Sequence, residues 1–387
     1  MKPKKQVLLI IESSTSYGRG IIRGIAQYVR ERNEWWIDFE NRGIHEILPP
    51  ILKQWNGDGI ISRLYNRNFV DLIRKKKCPF IELLALEQEY TMVQIDEQYI
   101  ARMAITHFLE NGLKNYGYYS FGKCDWAEKR GHFFAQAVQE KGLTCSICPI
   151  TPNATSSVDP VWKIEYEKTL LHWLKSLPRP VGVLTANDTH ALRLVSTCRR
   201  YNIAVPEEIA VLGVNDDHQL CQTLTPTLSS IDLGSERIGY EAARLLDLQM
   251  NGQPLPKNSI ILPPVQVIAR QSTDMFAIEN EDVVEALRFI RNYAAQGISV
   301  RDVLTACTIS SRSLERNFKH YLNRTPEKEI IRVRLNHAIT LLRDSQLSNK
   351  DIAQLSGFKS LRYFLQVFRQ ELGETPTQFR KRKIFNR

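Results

Sequence analysis

An internal repeat with a period close to 50 residues constrains the fold of this chain more than any other feature of its sequence. Residues 299–334 align with residues 348–384. The matching positions are 49 apart before the turn and 50 apart after it: Asp302/Asp351, Ile309/Phe358, Phe318/Phe368, Leu322/Leu372 and Thr325-Pro326/Thr375-Pro376. A repeat of this length indicates two copies of one supersecondary unit.

Each copy has the signals of a helix, a tight turn and a second helix. In the second copy, Gly357 suits a left-handed turn and Ser360 is expected to cap the helix that follows. Ser310 or Ser311 is expected to cap the equivalent helix of the first copy. The predicted inward stripes are Leu314, Phe318 and Leu322 in the first copy, and Leu361, Phe364, Phe368 and Leu372 in the second. Each Thr-Pro pair predicts the start of a further helix, and residues 331–345 are predicted to form a helical rod between the copies.

The net charge of the chain is concentrated in this region. The whole chain carries +10, whereas residues 283–387 hold 20 Lys and Arg against 9 Asp and Glu, which is +11. Such a concentration is typical of a domain that binds a polyanion, although a solvated basic face would also produce it.

The motif positions of the second copy resemble those of AraC/XylS-family transcription regulators. They are Ile352-Ala353, Gly357-Phe358, Ser360, Tyr363-Phe364, Phe368-Arg369, Gly373, Thr375-Pro376 and Phe379-Arg380. The resemblance implies two helix-turn-helix units, about 299–322 and 348–372, whose second helices read the major groove of double-stranded operator DNA. The implied DNA-binding residues are Arg312, Ser313, Arg316, Lys319, Lys359, Arg362, Gln366 and Arg369. The first unit departs from the family at Thr308, which replaces the turn glycine at an expected cost of roughly 1 kcal/mol.

Upstream of this region, short apolar runs alternate with helical stretches. The predicted strands are residues 7–11, 59–62, 79–83, 116–121, 181–186, 209–214 and 228–232, and the predicted helices are residues 18–32, 97–111, 128–141, 160–176, 187–201 and 234–250. This alternation predicts parallel sheets covered by helices, and the length is enough for two lobes. We therefore expect an α/β domain over residues 1–275 and an all-α domain over residues 283–387.

Several segments of the first domain resemble the sensor region of LacI/GalR repressors and periplasmic sugar-binding proteins. These segments are "VQIDEQYIARMAITHFLENGLKNYGYYSF", "VLTANDTHALRLVSTCRRYNIAVPEEIAVLGVNDD", "TPTLSSIDLGSERIGYEAARLL" and "IILPPVQVIARQST". The resemblance implies a bilobed sensor that binds a small sugar between its lobes. The helix-turn-helix that begins a LacI-type chain has no counterpart here, because residue 6 already lies at the first strand.

In such folds the ligand lies beyond the carboxyl ends of the strands. The side chains expected there are Ser13, Ser14, Tyr17, Arg63, Trp126, Arg130, Asn187, Asp188, Asn215 and Asp216. Carboxylates and amides bind paired hydroxyls, Arg donates a fork of hydrogen bonds and Trp offers an apolar face, so the set suits a polyol. Asp188 could equally cap the helix after it. Arg130 matches the LacI-type arginine that opens the helix before "QAVQEKGL".

Other motifs do not predict catalysis, a cofactor or a metal. "YGRGIIRG" imitates a dinucleotide fingerprint, but six residues separate its first glycine, Gly18, from the first strand, where the true motif turns at once. "CSIC" is a lone Cys pair, and the His residues have no ligand or triad spacing. The seven scattered Cys favour reduced thiols in a cytoplasm, and no apolar run is long enough to span a membrane.

The two resemblances occur together in regulators of xylose operons. This likeness implies a cytoplasmic, sequence-specific transcription activator that answers to D-xylose, binds DNA as a homodimer and contacts RNA polymerase. The alternatives are a regulator of the same architecture that answers to another sugar, and a sugar-binding or sugar-modifying protein whose basic tail serves association rather than DNA binding.

Overall fold

The computed structural model describes most of the chain and divides it into two compact units, which consist chiefly of the residues up to Met275 and of those after it. The described residues are 4–32, 34–42, 51–63, 72–73, 75–84, 91–121, 125–149, 164–255, 259–275, 280–322, 324–345 and 347–384.

The first unit contains two six-stranded sheets, one in each lobe. The first sheet has the order β11-β5-β4-β3-β1-β2, and every neighbouring pair is parallel. Its strands are β1 (Lys5–Ile10), β2 (Trp35–Glu40), β3 (Gly59–Ser62), β4 (Phe80–Glu82), β5 (Thr91–Ile95) and β11 (Ile260–Leu262). The chain therefore leaves this lobe after β5 and returns to it for β11.

The second sheet has the order β12-β10-β9-β8-β6-β7, in which only β12 is antiparallel to its neighbour. Its strands are β6 (Asn115–Tyr119), β7 (Cys145–Ile147), β8 (Val181–Thr185), β9 (Ile209–Val214), β10 (Ser229–Asp232) and β12 (Gln266–Ile268). Every residue of β8 and β9 is buried, as expected for central parallel strands covered on both faces.

Helices cover both sheets, which confirms the predicted bilobed α/β fold. They are α1 (Ser16–Arg32), α2 (Ile51–Gln54), α3 (Glu97–Glu110), α4 (Asp125–Gln139), α5 (Ile164–Ser176), α6 (Asp188–Arg200), α7 (His218–Thr223) and α8 (Ser235–Met250). The first four residues of the helix predicted over 160–176 lie outside the described residues.

The glycines of "YGRGIIRG" allow two helices to pack closely. A Cβ at Gly24 would lie 1.8 Å from the backbone oxygen of Glu236 on α8, and a Cβ at Gly239 would lie 2.0 Å from the oxygen of Ile21 on α1. These glycines are thus required by the contact between α1 and α8, and the motif needs no nucleotide to account for it.

The second unit is entirely helical in its described part. Its elements are α9 (Glu281–Tyr293), a 3-10 turn (Ala294–Gln296), α10 (Val300–Cys307), α11 (Ser311–Leu322), α12 (Pro326–Asp344), α13 (Asn349–Leu355), α14 (Leu361–Leu372) and α15 (Pro376–Ile384). Two hydrophobic cores form, one around Phe318 and the other around Phe368. Both include residues of α12, so the helix predicted between the two copies contributes to the cores of both helix-turn-helix units.

Local signals read from the sequence account for most helix boundaries in this unit. The Ser360 and Thr325 side chains accept hydrogen bonds from backbone N–H groups at the starts of α14 and α12. Ser310, rather than Ser311, caps α11 by accepting from the Ser313 N–H. Gly357 has a φ of +77° and Thr308 a φ of +51°, both in the left-handed region.

The predicted inward stripe of α14 was wrong at its two ends. Leu361 and Leu372 are 37% and 39% exposed, whereas Phe364 and Phe368 are buried together with Val367. Leu361 and Leu372 are the first and last residues of the helix and therefore lie beyond the edge of the core that the middle turns cover.

Candidate functional site

The segments that follow β1 and β3 bring together an aromatic ring at the start of α1, an arginine and a carboxylate of the first lobe. The Arg63 guanidinium carbon lies 4.8 Å from the centre of the Tyr17 ring, and Arg63 Nη1 lies 3.8 Å from Glu12 Oε2. Burial raises the pKa of the Tyr17 hydroxyl, so the phenol is neutral and can both donate and accept a hydrogen bond.

The matching surface of the second lobe is built around Arg130 on α4. Its guanidinium donates to both carboxylate oxygens of Glu97, from Nε at 2.7 Å and from Nη2 at 2.8 Å, and Nη1 donates to the backbone oxygen of Ala186. The guanidinium carbon also lies 5.4 Å from the centre of the Trp126 ring. Burial lowers the pKa of Arg130, but the charge and hydrogen bonds of Glu97 reverse that effect and raise it.

These two surfaces are close enough to influence each other. After burial, the charges that shift the pKa of Tyr17 are those of Arg63 in its own lobe and of Glu97 and Arg130 in the other. Two donors here, Arg63 Nε and Trp126 Nε1, are buried and have no hydrogen-bond acceptor in the part of the chain that the structure describes. A buried donor without an acceptor is costly, so this position suits a ligand rich in oxygen atoms.

Asn187 ends the loop after β8, and His190 determines which way its amide points. The Asn187 Oδ1 atom accepts from the backbone N–H of His190 at 3.0 Å and lies 2.5 Å from its ring Nδ1. Burial lowers the pKa of His190 to about 4, so the ring is neutral near pH 7. Both contacts engage the Asn187 oxygen, so the group that Asn187 can offer to a ligand is its NH₂ donor.

The loop after β9 is held in an unusual backbone conformation. Asn215 and Asp216 have φ values of +111° and +49°, which cost energy for residues other than glycine and are found mainly where function requires them. Arg270, beyond β12, donates from Nη2 to Asp216 Oδ1 at 2.7 Å and from Nη1 to the backbone oxygen of Leu228. The Asp216 carboxylate therefore has a fixed position.

Asp188 has both carboxylate oxygens engaged inside the second lobe. Oδ1 accepts from the Ser230 hydroxyl at 2.6 Å and Oδ2 accepts from the Asp217 N–H at 2.7 Å. Asn187, and not Asp188, is the N-cap of α6. Asp188, which follows β8, is thus tied to the loop after β9 and to strand β10 itself, and both of its carboxylate oxygens have protein partners.

The burial of Asp188 predicts a pH dependence of stability. Burial raises its pKa from 3.8 to about 7, against the opposing effect of its hydrogen bonds. The folded state therefore binds a proton that the unfolded chain has lost, and this contribution is present below pH 4 and is lost as the pH rises through 7. Because each pH unit between the two pKa values corresponds to ~1.4 kcal/mol, we expect a loss of a few kcal/mol. The free energy of unfolding in urea, measured at several pH values for the wild type and for Asp188→Asn, tests this, because the amide of asparagine does not titrate. The prediction would be contradicted if this free energy depended on pH equally in the two proteins.

The remaining candidates of the first lobe lie in the loop after β1. The Ser13 N–H donates to Asn41 Oδ1 at 2.8 Å, and the exposed Ser14 hydroxyl donates to Glu12. Arg19, on α1, donates to the backbone oxygens of both serines. Arg19 Nη2 also lies 3.9 Å from Asp217 Oδ2, so an ion pair joins the two lobes.

The cleft region contains residues that were not predicted from the sequence, among them Glu97, Arg270, His190 and Arg19. Glu97 opens a helix directly after β5, so the rule that places ligands beyond strand ends could have found it. Arg270 lies in the Arg-x-Ser end of the last resemblance segment, and its partner Asp216 was predicted. Nothing in the sequence indicated His190 or Arg19, because their roles depend on the contacts that the folded loops make.

The candidate DNA-reading residues lie mostly on the outer faces of α11 and α14. Those that are exposed are Arg312, Arg316, Lys319, Lys359, Arg362, Gln366 and Arg369. Ser313 is half-buried, and its hydroxyl accepts a hydrogen bond from that of Ser310 at 3.0 Å. The exposed cations and amide are opposite the apolar positions that dock each helix, which is the arrangement a groove-reading helix needs.

The two helix-turn-helix units are joined by more than the shared helix. Arg334 on α12 donates to the backbone oxygens of Ala294 at 2.9 Å and Ile298 at 2.5 Å. The backbone of Gly357, in the turn of the second unit, passes so close that a Cβ there would lie 2.3 Å from the Ala294 oxygen. The turn after α9 is thus packed against both α12 and the second unit.

Known proteins show the same organisation along the whole chain. The xylose operon regulatory protein of Haemophilus influenzae is 30% identical over 386 residues, which cover 97% of this chain and 98% of the relative. The chain belongs to the family of the xylose operon regulatory proteins. The relative of the same name from Escherichia coli K12 is 28% identical, with 97% of each chain covered.

Domain families and a solved structure agree with this membership. Residues 6–103 match the XylR N-terminal domain, residues 105–273 the periplasmic binding protein-like domain and residues 304–382 a helix-turn-helix domain. A solved structure described as that of the xylose-binding transcription activator xylR has a TM-score of 0.61 and 27% identity, and covers 98% of each chain. Like these family members, the chain is a transcription regulator with a sensor fold and a DNA-binding fold.

Two further findings concern partners. No helix among the described residues is long and apolar enough to cross a membrane. The same residues contain no group of three or more His, Cys, Asp or Glu side chains placed to hold a metal ion.

Proposed function

We propose that this chain is a xylose-responsive activator that binds operator DNA through α11 and α14. The observation that carries the sugar assignment is the pair of buried donors, Arg63 Nε and Trp126 Nε1, which lack acceptors within the described chain. Each comes from a different lobe, and a sugar between the lobes supplies the oxygen atoms that they need. The names of the family members, which specify xylose, support the choice of sugar.

The chemistry of the cleft fits a neutral pentose. Ser13, Tyr17 and Arg63 belong to the first lobe, and Trp126, Arg130, Asn187, Asn215 and Asp216 to the second. Arg130 and Asp216 are each held by a partner of opposite charge, so the net field at the cleft is small. Sugar hydroxyls, which both donate and accept, can bond to such pairs, and the Trp126 face can cover a C–H surface.

A sugar held from both lobes acts as a switch because it favours the closed sensor. A ligand shifts a two-state protein only by binding one state more tightly than the other. Contacts from Tyr17 and Arg63 are made together with those from Arg130 and Asp216 only when the lobes are closed. The signal then leaves the sensor through residues 273–283.

Other parts of the proposal concern assembly and location. We take residues 1–275 as the sensor and residues 283–387 as the DNA-binding domain. The regulator acts in the cytoplasm as a homodimer, contacts RNA polymerase at its promoter and has no catalytic role. Two reading helices per chain support an operator with paired sites, which a symmetric dimer would occupy twice.

A salt-titrated gel shift of the full chain, with and without sugar, tests this function. Phosphate contacts make the affinity for DNA fall steeply with salt, and a xylose-responsive regulator changes its complex when D-xylose is added. D-ribose, L-arabinose and D-glucose serve as comparison sugars. A protein with no DNA affinity at low salt would be a sugar-binding protein of another class, and a response to a different sugar would correct the effector alone.

The two reading helices are expected to divide the operator between them. Arg312→Ala or Arg316→Ala should relax sequence preference in one half of the footprint, and Arg362→Ala or Gln366→Ala in the other. Each lost base contact costs ~1–3 kcal/mol, and the halves should be ~34 Å apart on one face of the duplex. Binding to a library of operator variants measures this. Uniform weakening across all variants would mean that these side chains hold phosphates.

A further inference from the structure

A buried arginine in the second lobe has no hydrogen-bond acceptor for its two terminal nitrogen atoms among the described residues. Arg193, on α6, is 3% exposed. Neither Nη1 nor Nη2 has a partner in the described part of the chain. An arginine is charged at any ordinary pH, and an unpaired buried charge costs several kcal/mol. The fold keeps this group where nothing within the described protein satisfies it.

Two aromatic rings attract the charge but cannot bond to the N–H groups. The guanidinium carbon of Arg193 lies 4.5 Å from the centre of the Phe121 ring and 5.6 Å from that of Tyr166. These two rings meet edge to face, with centres 4.9 Å apart, and form an apolar corner. A cation over a ring face is stabilised electrostatically, yet its N–H donors lie in the guanidinium plane and still need oxygen atoms there.

Three titratable neighbours among the described residues supply no negative charge. Burial raises the pKa of the Cys148 thiol to about 12 and raises the pKa of the Tyr119 hydroxyl as well. Burial also lowers the pKa of His190 to about 4. At neutral pH all three groups are uncharged, so none of them is the counter-ion of Arg193.

Water could fill the missing hydrogen bonds, but it would leave the charge uncompensated. A carboxylate or phosphate group provides both the hydrogen-bond acceptors and the negative charge. Two of its oxygen atoms match the spacing of the two Nη donors. We propose that Arg193, Phe121 and Tyr166 form a second ligand site, which binds a small oxyanion through two parallel hydrogen bonds. This site uses none of the side chains proposed to bind the sugar, although Phe121 contacts His190, the residue that orients Asn187. It would make the regulator responsive to an anionic metabolite.

The test is a titration of the full chain with simple anions. Inorganic phosphate, glucose 6-phosphate and acetate are added at constant ionic strength, with chloride as the reference, and the melting of the sensor is followed. A specific anion raises the melting temperature by mass action, and chloride does not. Phosphate, a phosphate monoester and a carboxylate are tested separately, so the anion that raises the melting temperature most identifies the class of ligand.

Variants on the same helix assign the effect to Arg193. Arg193→Met should weaken the binding of the effective anion at least tenfold, and Arg193→Lys, which keeps the charge without the fork, several-fold. Arg199→Met removes an exposed charge from the same helix and should bind the anion as the wild type does. The response to D-xylose is measured on each variant, which shows that the sensor is folded and keeps this test separate from the sugar assignment.

Two results would overturn the proposal. One is a wild type that none of the three anions stabilises beyond chloride, which would mean that water alone satisfies Arg193. The other is unchanged anion binding by Arg193→Met, or by Arg193→Lys if the Met variant does not fold.

Discussion

Arg130→Met is expected to abolish the response to sugar while leaving operator binding within about twofold of the wild type. The substitution keeps an unbranched side chain about as long as the aliphatic part of arginine but removes the fork that bonds to Glu97 and Ala186. Breaking a buried ion pair by removing one partner costs ~3–5 kcal/mol, because the other charge stays buried. A thermal-shift titration with D-xylose and a gel shift with and without the sugar measure the two effects.

A second variant separates the loss of binding from a loss of stability. Glu97→Gln combined with Arg130→Met leaves no unpaired carboxylate, so the sensor should recover much of its melting temperature without recovering the sugar response. Arg102→Met is the matched control, since Arg102 is exposed on α3. If Arg130→Met retains a normal response to sugar, the effector is bound elsewhere.

The other large effect is expected from a single methyl group in the turn of the second helix-turn-helix unit. Gly357 has a φ of +77°, and a Cβ there would lie 2.3 Å from the Ala294 oxygen and 2.8 Å from the Ala295 oxygen. Gly357→Ala therefore combines backbone strain of ~1–2 kcal/mol with overpacking of ~1–3 kcal/mol. We expect the second unit to unfold early and the corresponding half of the DNA footprint to be lost.

Gly373→Ala provides the comparison for this experiment. Gly373 ends α14 with a φ of +74°, but nothing lies within 4 Å of the position of its Cβ. Its substitution carries the strain without the collision, so it should cost ~1–2 kcal/mol and preserve the whole footprint. Equal destabilisation by the two substitutions, measured by urea unfolding and footprinting, would show that the contact with Ala294 is unimportant.

The fold was readable from the sequence where one physical rule dominated. Parallel strands buried on both faces are continuous apolar runs, so β8 and β9 were found within one residue of their bounds. The edge strand β2 was not found, because it mixes charged residues with rings, and Trp36 is 64% exposed. In the DNA-binding domain the capping residues and turn glycines act locally, which is why Ser360 and Gly357 could be assigned.

The sequence allowed site residues to be predicted only from their positions along the chain. The rule that ligands lie beyond strand ends predicted Tyr17, Arg130 and Asp216, but it could not predict their partners. Glu97 and Arg130 are 33 positions apart and meet only because α3 and α4 pack on the same sheet. Arg193 lies between Leu192 and Leu194 on an amphipathic helix, and an arginine is ordinarily expected in solvent. Its burial depends on Phe121 and Tyr166, which are distant in sequence.

The helix shared by the two cores of the DNA-binding unit has a consequence for the operator itself. Since α12 and the contacts of Arg334 connect the two helix-turn-helix units, neither reading helix can change its orientation unless the other moves as well. In the function proposed above, the protein therefore sets the distance between the two base sequences that one chain reads. The operator could then vary in the bases of each half. It could not gain or lose base pairs between the halves, because one half would move out of reach and onto another face of the duplex.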